Sequence, residues 1–205
     1  PIELLKRYFF VRTDKVAALM PWGKPHPIEC GDNLDALLKT HVLGDQAETA
    51  VARYSNRKGA VKVEKGRYRL GAYTPDHDGL TRWLCLDFDG SSDHADGLVD
   101  AEAALLETYE ACVALDLDAH IEKSGGGKGW HLWIFFEDPI PAKDVRRFAH
   151  LVAPKNQLLA SGRRANAKAN KGIEVFPKQS GIRKKTGYGN LVWLPFWAGA
   201  PEGAN

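Results

Sequence analysis

The chain has 205 residues, of which 44% are hydrophobic and 26% charged, and its net charge at pH 7 is only +2. This composition is typical of a soluble globular protein. No apolar run approaches the length of a membrane span and no signal peptide is visible, which predicts a cytoplasmic location. Three widely spaced cysteines argue against a disulfide framework and against a cysteine-built zinc site. Because the chain starts with Pro1 and ends in small, turn-forming residues, we expect a piece of a longer protein.

The first part of the chain predicts two helices. Residues 2–20 carry apolar side chains at mostly helical spacing, with an interruption near residues 13–14, and the pattern ends at three prolines: Pro21, Pro25 and Pro27. A second helix follows over residues 34–42. Asp32 is its predicted N-cap, and Gly44 closes it.

The next segment predicts a β-hairpin. Residues 60–63 and 68–73 alternate in the manner of strands, and residues 64–66 between them predict the turn. Residues 75–79 then form a loop that leads into the apolar run at 83–88.

That apolar run ends in two carboxylates one residue apart. In a strand, Asp87 and Asp89 face the same surface, while Phe88 faces the opposite one. Two carboxylates on one face repel each other, and a cation between them relieves the repulsion; oxygen ligands suit Mg²⁺ or Mn²⁺. The alternative is an ordinary acidic turn, since Gly90 and serines follow.

The remaining elements alternate between helices and strands. We predict a helix over residues 99–115, strands over 119–122 and 130–136, a helix over 142–159, and two short strands, 172–176 and 190–194. From residue 83 onward the order is strand, helix, strand, strand, helix, strand, strand. This is the split βαβ pattern of a ferredoxin-like or RNA-recognition-motif-like (RRM-like) sheet, with one strand added at the end.

A glycine-rich turn at residues 124–129 joins two of these strands. It is not a P-loop, because the expected glycine and hydroxyl positions hold Glu122 and Gly129. Its backbone N–H groups and Lys128 can still face an anion, although a plain hairpin turn is the commoner use of such glycines. Ser124 precedes the turn, and His131 follows it on the sheet face that the aspartates share, which makes His131 a candidate phosphate contact.

Glu174 lies inside an apolar strand, where a carboxylate is costly unless it is paired or bound to metal. With Asp87 and Asp89 it makes three carboxylates, enough to hold two divalent ions. A salt bridge to a nearby lysine is the alternative.

Around Glu174 lies a basic block that we interpret as a footprint for phosphates, with the alternative of a solvated loop. It contains Lys155, Arg163, Arg164, Lys168, Lys171, Lys178, Arg183, Lys184 and Lys185.

Four motifs together resemble one known family. They are residues 86–89 (LDFD), 124–133 (SGGGKGWHLW), 173–179 (IEVFPKQ) and 189–195 (GNLVWLP). In order and spacing they resemble the archaeo-eukaryotic primase superfamily, and most closely its primase-polymerase branch found in TOTE conflict systems and beside CRISPR adaptation proteins. The likeness is good over residues 73–196 and weaker before them.

The resemblance implies roles for particular residues. Asp87, Asp89 and Glu174 match the family's metal carboxylates, and they would hold two Mg²⁺ or Mn²⁺ ions. Ser124 and His131 match the motif that contacts the incoming nucleotide. Gly127, Lys128, Lys178 and Gln179 complete the predicted nucleotide site, and the predicted nucleic-acid contacts are Arg163, Arg164, Lys168, Arg183, Lys184 and Lys185.

The resemblance also implies fold, reaction and partners. The fold is α+β: an RRM-like catalytic sheet over residues 81–197, an N-terminal α/β module over 1–80 and a tail over 198–205. The reaction is template-dependent nucleotidyl transfer, with primer synthesis or extension from NTPs or dNTPs on a single-stranded DNA template. Helicase, nuclease or CRISPR-adaptation domains could be fused outside this piece. Clear zinc ligands, which some relatives carry, are absent from the sequence.

Two other functions fit part of the pattern. A haloacid-dehalogenase-like phosphatase also has a strand that ends in Asp-x-Asp, but it leaves His131 and the basic block unexplained. A non-catalytic RRM-like nucleic-acid-binding module explains the sheet and the charge. It would, however, place three carboxylates on the surface that meets phosphates.

Overall fold

A computed structural model of the chain describes residues 1–12, 14–56, 58–89, 100–127, 129–153, 173–182 and 187–202. Four α-helices lie in these ranges: α1 (Ile2–Phe9), α2 (Leu34–Leu43), α3 (Ala101–Ala114) and α4 (Ala142–Val152). The same ranges contain ten strands: β1 (Lys15–Leu19), β2 (Pro25–Glu29), β3 (Ala50–Ser55), β4 (Val61–Gly66), β5 (Leu70–Thr74), β6 (Leu80–Phe88), β7 (Ala119–Lys123), β8 (Trp130–Pro141), β9 (Glu174–Phe176) and β10 (Asn190–Trp193).

The first sheet has the strand order β10-β5-β1-β2-β3-β4. Its first strand in the sequence, β1, lies in the second half of the segment 2–20, which the sequence predicts to be helical. That prediction holds for α1 and is wrong for Lys15–Leu19. A short apolar run has no decisive periodicity, and here pairing with β2 and β5 on either side makes it a strand. Pro25 and Pro27 belong to β2 instead of ending a helix; the β2–β3 ladder has one described pair, Glu29 opposite Arg53, so their missing N–H groups cost little.

The predicted hairpin is also wrong in its partners. β4 pairs with β3, which the sequence analysis missed, and residues 64–66 lie within β4 instead of forming a turn. The turn comes earlier, where the Asn56 side-chain oxygen accepts hydrogen bonds from the backbone N–H groups of Lys58 and Ala60, both at 3.0 Å. The second predicted helix is confirmed as α2. Gly44 ends it with a φ of 55°, whereas Asp32 lies in a short 3-10 turn before its N-cap.

The second sheet has the order β7-β8-β6-β9, and all its pairings are antiparallel. This arrangement confirms the split βαβ prediction, because the two strands at its centre are the first and third of the motif. Helices α3 and α4 contact one face of this sheet. The predicted helix over residues 142–159 is confirmed over Ala142–Val152 as α4. The structure ends the helix there, with Ala153 extended at its C-cap, and the predicted residues 154–159 lie outside the described residues.

The last predicted strand joins the other sheet. β10 pairs with β5, from Asn190 opposite Thr74 to Trp193 opposite Gly71, so the prediction that it extends the RRM-like sheet is wrong. Gly71 permits this pairing, since a Cβ there would lie 2.8 Å from the Val192 carbonyl oxygen. The domain boundaries at residues 80 and 197 stay a prediction.

Two cores bury both faces of the second sheet. On one face, Leu84, Leu86 and Phe88 pack with α3 and α4. On the other, Trp83 and Cys85 join a core that includes α1, α2 and the first sheet. Strand β6 therefore alternates between two apolar environments until its end, where the aspartates begin. Within the described ranges, no helix is long and apolar enough to cross a membrane.

Candidate active site

Four ionisable side chains lie at one level across the second sheet. Glu122 on β7 is opposite His131 on β8, His131 is opposite Asp87 on β6, and Asp87 is opposite Glu174 on β9. Residues that are directly paired in a sheet face the same way, so these four make a continuous row, which we call the acidic row. The structure thus brings together three predicted site residues and adds Glu122, which the sequence analysis missed as a site residue.

Asp87 is the most unusual member of the acidic row. Its Oδ1 atom is buried and accepts no hydrogen bond from the described residues, and it lies 3.7 Å from His131 Nε2. Burial raises the pKa of Asp87 to about 6; the charge of His131 opposes this, while Asp89 and Glu174 add to it. A carboxylate oxygen in this position is ready to accept a cation.

His131 is fixed by the neighbouring strand. Its Nδ1 atom donates a hydrogen bond to Glu122 Oε2 at 3.0 Å, and Trp133 Nε1 donates to the same oxygen at 2.6 Å. The opposite ring nitrogen, Nε2, therefore faces Asp87. Burial lowers the pKa of His131, but the hydrogen bond that its ring donates to Glu122 and the charges of Asp87, Glu122 and Asp89 outweigh this effect and leave the pKa raised.

The salt-bridge alternative for Glu174 is present in the structure. Lys178 Nζ lies 2.5 Å from Glu174 Oε2 and 4.5 Å from the centre of the Phe176 ring. Lys178 and Gln179 also line a cavity of about 1170 Å³ together with Arg146 and the loop at residues 77–79. Two of the six residues of the predicted nucleotide site, Lys178 and Gln179, are therefore on the wall of an open space, and Lys178 connects this wall to the acidic row through Glu174.

The glycine-rich turn closes on itself beside Asp89. Ser124 N donates to Gly129 O at 2.9 Å, Gly129 N donates to Ser124 Oγ at 3.1 Å, and Gly127 N donates to Ser124 O at 2.7 Å. Ser124 thus fastens the turn. A Cβ at Gly129 would lie 3.0 Å from Asp89 Oδ1 and 3.1 Å from Phe88 O, so glycine allows the turn to approach the second aspartate. Gly127, with a φ of 75°, adopts a conformation that glycine favours.

The donor set suits a hard divalent cation, and Asp87 Oδ1 is an oxygen without a hydrogen-bond partner among the described residues. Even so, among these residues no group of three or more histidine, cysteine, aspartate or glutamate side chains is arranged to hold a metal ion. Glu174 is directed to Lys178 instead.

Seven predicted site residues lie outside the described residues: Lys128, Arg163, Arg164, Lys168, Arg183, Lys184 and Lys185.

Comparisons with known proteins identify the class. The fold is that of an archaeo-eukaryotic primase domain, with the acidic row on its RRM-like sheet. Residues 39–205 match the family described as "TOTE conflict system, Archaeo-Eukaryotic Primase domain", and the chain belongs to this family. The resemblance seen in the sequence is thereby confirmed.

No curated protein matches the chain. Among solved structures, the chain is similar to the polymerase domain from Mycobacterium tuberculosis ligase D in complex with DNA, with 13% identity and a TM-score of 0.44, over 96% of this chain and 73% of that one.

Proposed function

We propose that this chain catalyses template-dependent nucleotidyl transfer, in which a primer is made or extended from NTPs or dNTPs. The acidic row is the observation that carries the proposal. It places a buried carboxylate oxygen of Asp87, which has no hydrogen-bond partner among the described residues, between His131 and Glu174, with Asp89 one pleat further on beside the glycine-rich turn. A phosphoryl-transfer site needs such a combination of cation ligands and phosphate contacts.

The carboxylates divide the work with the basic and polar groups. Asp87, Asp89 and Glu174 are the proposed metal ligands, and Glu174 must exchange Lys178 for a metal ion. Two Mg²⁺ or Mn²⁺ ions bound there would lower the pKa of the primer 3′-hydroxyl and neutralise the triphosphate. The ligands themselves act by position, since strands β6 and β9 hold them on one sheet face.

The nucleotide's triphosphate lies next to the metal ligands in this proposal. His131 presents Nε2 towards it, and Lys178 and Gln179 approach from the cavity wall. Ser124, Gly127 and Lys128 are the proposed contacts to the triphosphate tail. These groups orient the phosphates and stabilise charge that develops during transfer.

Nucleic-acid contacts form the second part of the proposal. The basic block, with Arg163, Arg164, Lys168, Arg183, Lys184 and Lys185, would follow the backbone of a single-stranded DNA template and primer. The proposed place of action is the cytoplasm, and the proposed partner modules are helicase, nuclease or CRISPR-adaptation domains.

The alternative functions have less support. The chain belongs to a family described as a primase domain, which favours nucleotidyl transfer over the phosphatase alternative. An RRM-like binding module stacks bases on exposed aromatic rings of its central strands. Here two tryptophans of the central strands, Trp83 and Trp133, are 0% and 2% exposed and pack against α1, and the third, Trp130, is partly buried against the core formed with α3 and α4. They offer no platform to a base.

Extension of a primed template with Mg²⁺ or Mn²⁺ tests the proposal. We expect Asp87→Asn and Asp89→Asn each to reduce extension by at least about a hundredfold, because both remove a proposed metal ligand, while binding to single-stranded DNA persists. Asp138→Asn, which changes an exposed aspartate at the far end of β8, is the matched control and should extend normally. Extension by either site variant at the wild-type rate would refute the metal assignment.

A further inference from the structure

Glu122 is a buried carboxylate on an edge strand, where it has no assigned role. It is 7% exposed, and its Oε2 atom accepts hydrogen bonds from two β8 side chains, His131 and Trp133. A buried carboxylate is tolerated when such donors satisfy it. Its position is therefore set by strand β8 and not by solvent.

Trp133 makes this acceptor immobile. Its ring is 2% exposed and packs against Phe9 at 4.9 Å and Trp83 at 5.2 Å between ring centres. An indole held by the core on this side cannot follow Glu122 if the carboxylate moves, so the 2.6 Å hydrogen bond holds Oε2 in place. A chain of fixed contacts thus runs from the core through Trp133 and Glu122 to His131.

The last of these contacts, from His131 to Glu122, determines which ring nitrogen of His131 faces the proposed phosphate position. Because Nδ1 donates to Glu122, Nε2 faces Asp87 and the proposed phosphate position. A ring turned by 180° would give up the Glu122 bond and bring a carbon atom towards the phosphates. Glu122 itself is separated from that position by the imidazole, so it acts through His131.

From this geometry we infer that Glu122 is a positioning residue for nucleotide binding: it orients His131 so that Nε2 meets the phosphates of the incoming nucleotide. The inference rests on the proposed function. A purely structural Glu122 would affect stability alone, whereas a positioning residue affects the nucleotide KM and the ring state of His131 together.

The test uses Glu122→Gln, which keeps the side-chain shape and an acceptor oxygen, in single-nucleotide extension by the full chain. We expect a nucleotide KM raised about tenfold with a smaller change in kcat, because a neutral acceptor holds the imidazole less firmly than a carboxylate does. Glu137→Gln, an exposed glutamate on the same strand as His131, is the matched control and should leave KM unchanged. Glu122→Asp, which keeps the charge, should raise the nucleotide KM less than Glu122→Gln does.

A double-variant cycle separates positioning from a structural role. In a His131→Ala background, Glu122→Gln should raise KM by much less than tenfold, since the group that it orients is gone. An equal increase in both backgrounds would overturn the inference, and so would an unchanged KM in Glu122→Gln.

The second readout does not depend on catalysis. ¹⁵N NMR of the His131 ring, assigned by comparison with His131→Gln and recorded without metal at a pH where the ring is neutral, should show Nδ1 protonated in the wild-type chain. Glu122→Gln should shift the ring towards the other tautomer. An unchanged ring spectrum would overturn the inference. A wild-type chain that does not extend primers would instead refute the proposed function, and the spectrum would still decide whether Glu122 orients His131.

Discussion

Two buried histidines of this chain have opposite surroundings. His41 on α2 is 0% exposed, and its ring is satisfied by backbone groups: Leu70 N donates to Nδ1 and Nε2 donates to Pro195 O, both at 2.9 Å. Burial lowers the pKa of His41 to about 4. His131 lies between two carboxylates, Glu122 and Asp87, and its pKa is raised.

The difference shows that the partners of a buried histidine indicate its role better than burial does. His41 connects α2, β5 and the segment after β10 as a neutral hydrogen-bonding unit, which is a structural task. His131 belongs to a row whose charges are unfavourable for stability and useful for binding phosphates and cations. The comparison can be tested by changing each side separately.

The largest effect is expected at Asp87. Asp87→Asn should abolish extension and yet stabilise the fold, because the pKa of this carboxyl is raised from 3.8 to about 6 by burial. Above pH 6 the folded chain holds an unfavourable buried charge, so the metal-free variant should gain about 2–3 kcal/mol in free energy of unfolding at pH 8. Urea unfolding with a chelator measures this. Lower stability of the variant would contradict it.

The next largest effect is expected at His41. Here the substitution should lower stability and leave nucleotide binding unchanged, the opposite of the expected result at Asp87. His41→Leu leaves Leu70 N–H and Pro195 C=O buried without their partner, which should cost about 3 kcal/mol of stability. The nucleotide KM of the folded enzyme should stay unchanged. A raised KM measured at a temperature where the variant is fully folded would show that His41 belongs to the site.

The pH dependence of stability sharpens the same contrast. The pKa of His41 is lower in the folded chain, about 4 against 6.5, so the unfolded chain binds more protons in this window. Stability from neutral His41 is present above pH 6.5 and is lost as pH falls to 4, by up to about 3 kcal/mol. The raised pKa of Asp87 makes stability fall as pH rises in the same window, which would mask the effect of His41. The free energy of unfolding is therefore compared between two variants that both lack the Asp87 carboxyl, Asp87→Asn and Asp87→Asn/His41→Gln. Parallel pH curves for the two would contradict the assignment.

The sequence predicted much of the second sheet because its patterns are local. Alternation along β6 placed Asp87 and Asp89 together, and a carboxylate within the apolar strand β9 pointed to Glu174. The order of elements predicted the strand order. The first sheet was harder, since Lys15–Leu19 fits a helix or a strand equally well, and only pairing with β2 and β5 decides between them.

Glu122 shows what register adds. Across a hairpin, residues at equal distances from the turn are paired, and the turn closes between Ser124 and Gly129. Glu122 and His131 are each two residues outside that closing pair, so the sequence held a signal that depends on the turn length alone. The contact from Lys178 to Glu174, by contrast, depends on side-chain choices that the pattern leaves open.

A smaller effect is expected at His131. His131→Ala should raise the nucleotide KM about tenfold, because one charge-assisted contact to phosphate is lost. Extension at saturating nucleotide should recover better than in Asp87→Asn, since the metal ligands remain. Steady-state extension over a range of nucleotide concentrations separates the two parameters. An unchanged KM would place His131 beside His41 as a structural residue.

The smallest effect is expected at the end of the acidic row. Lys178 Nζ lies 2.5 Å from Glu174 Oε2. Its positive charge repels a cation that would bind to the same carboxylate. Lys178→Met should therefore tighten Mn²⁺ binding a few-fold in the absence of nucleotide; the gain is small because both side chains are about one-third exposed. Electron paramagnetic resonance of free Mn²⁺ measures it, with Lys143→Met, an exposed lysine on α4, as the control. Weaker or unchanged Mn²⁺ binding in Lys178→Met would mean that Glu174 keeps its lysine when the metal binds, and that Asp87 and Asp89 hold the ion without it.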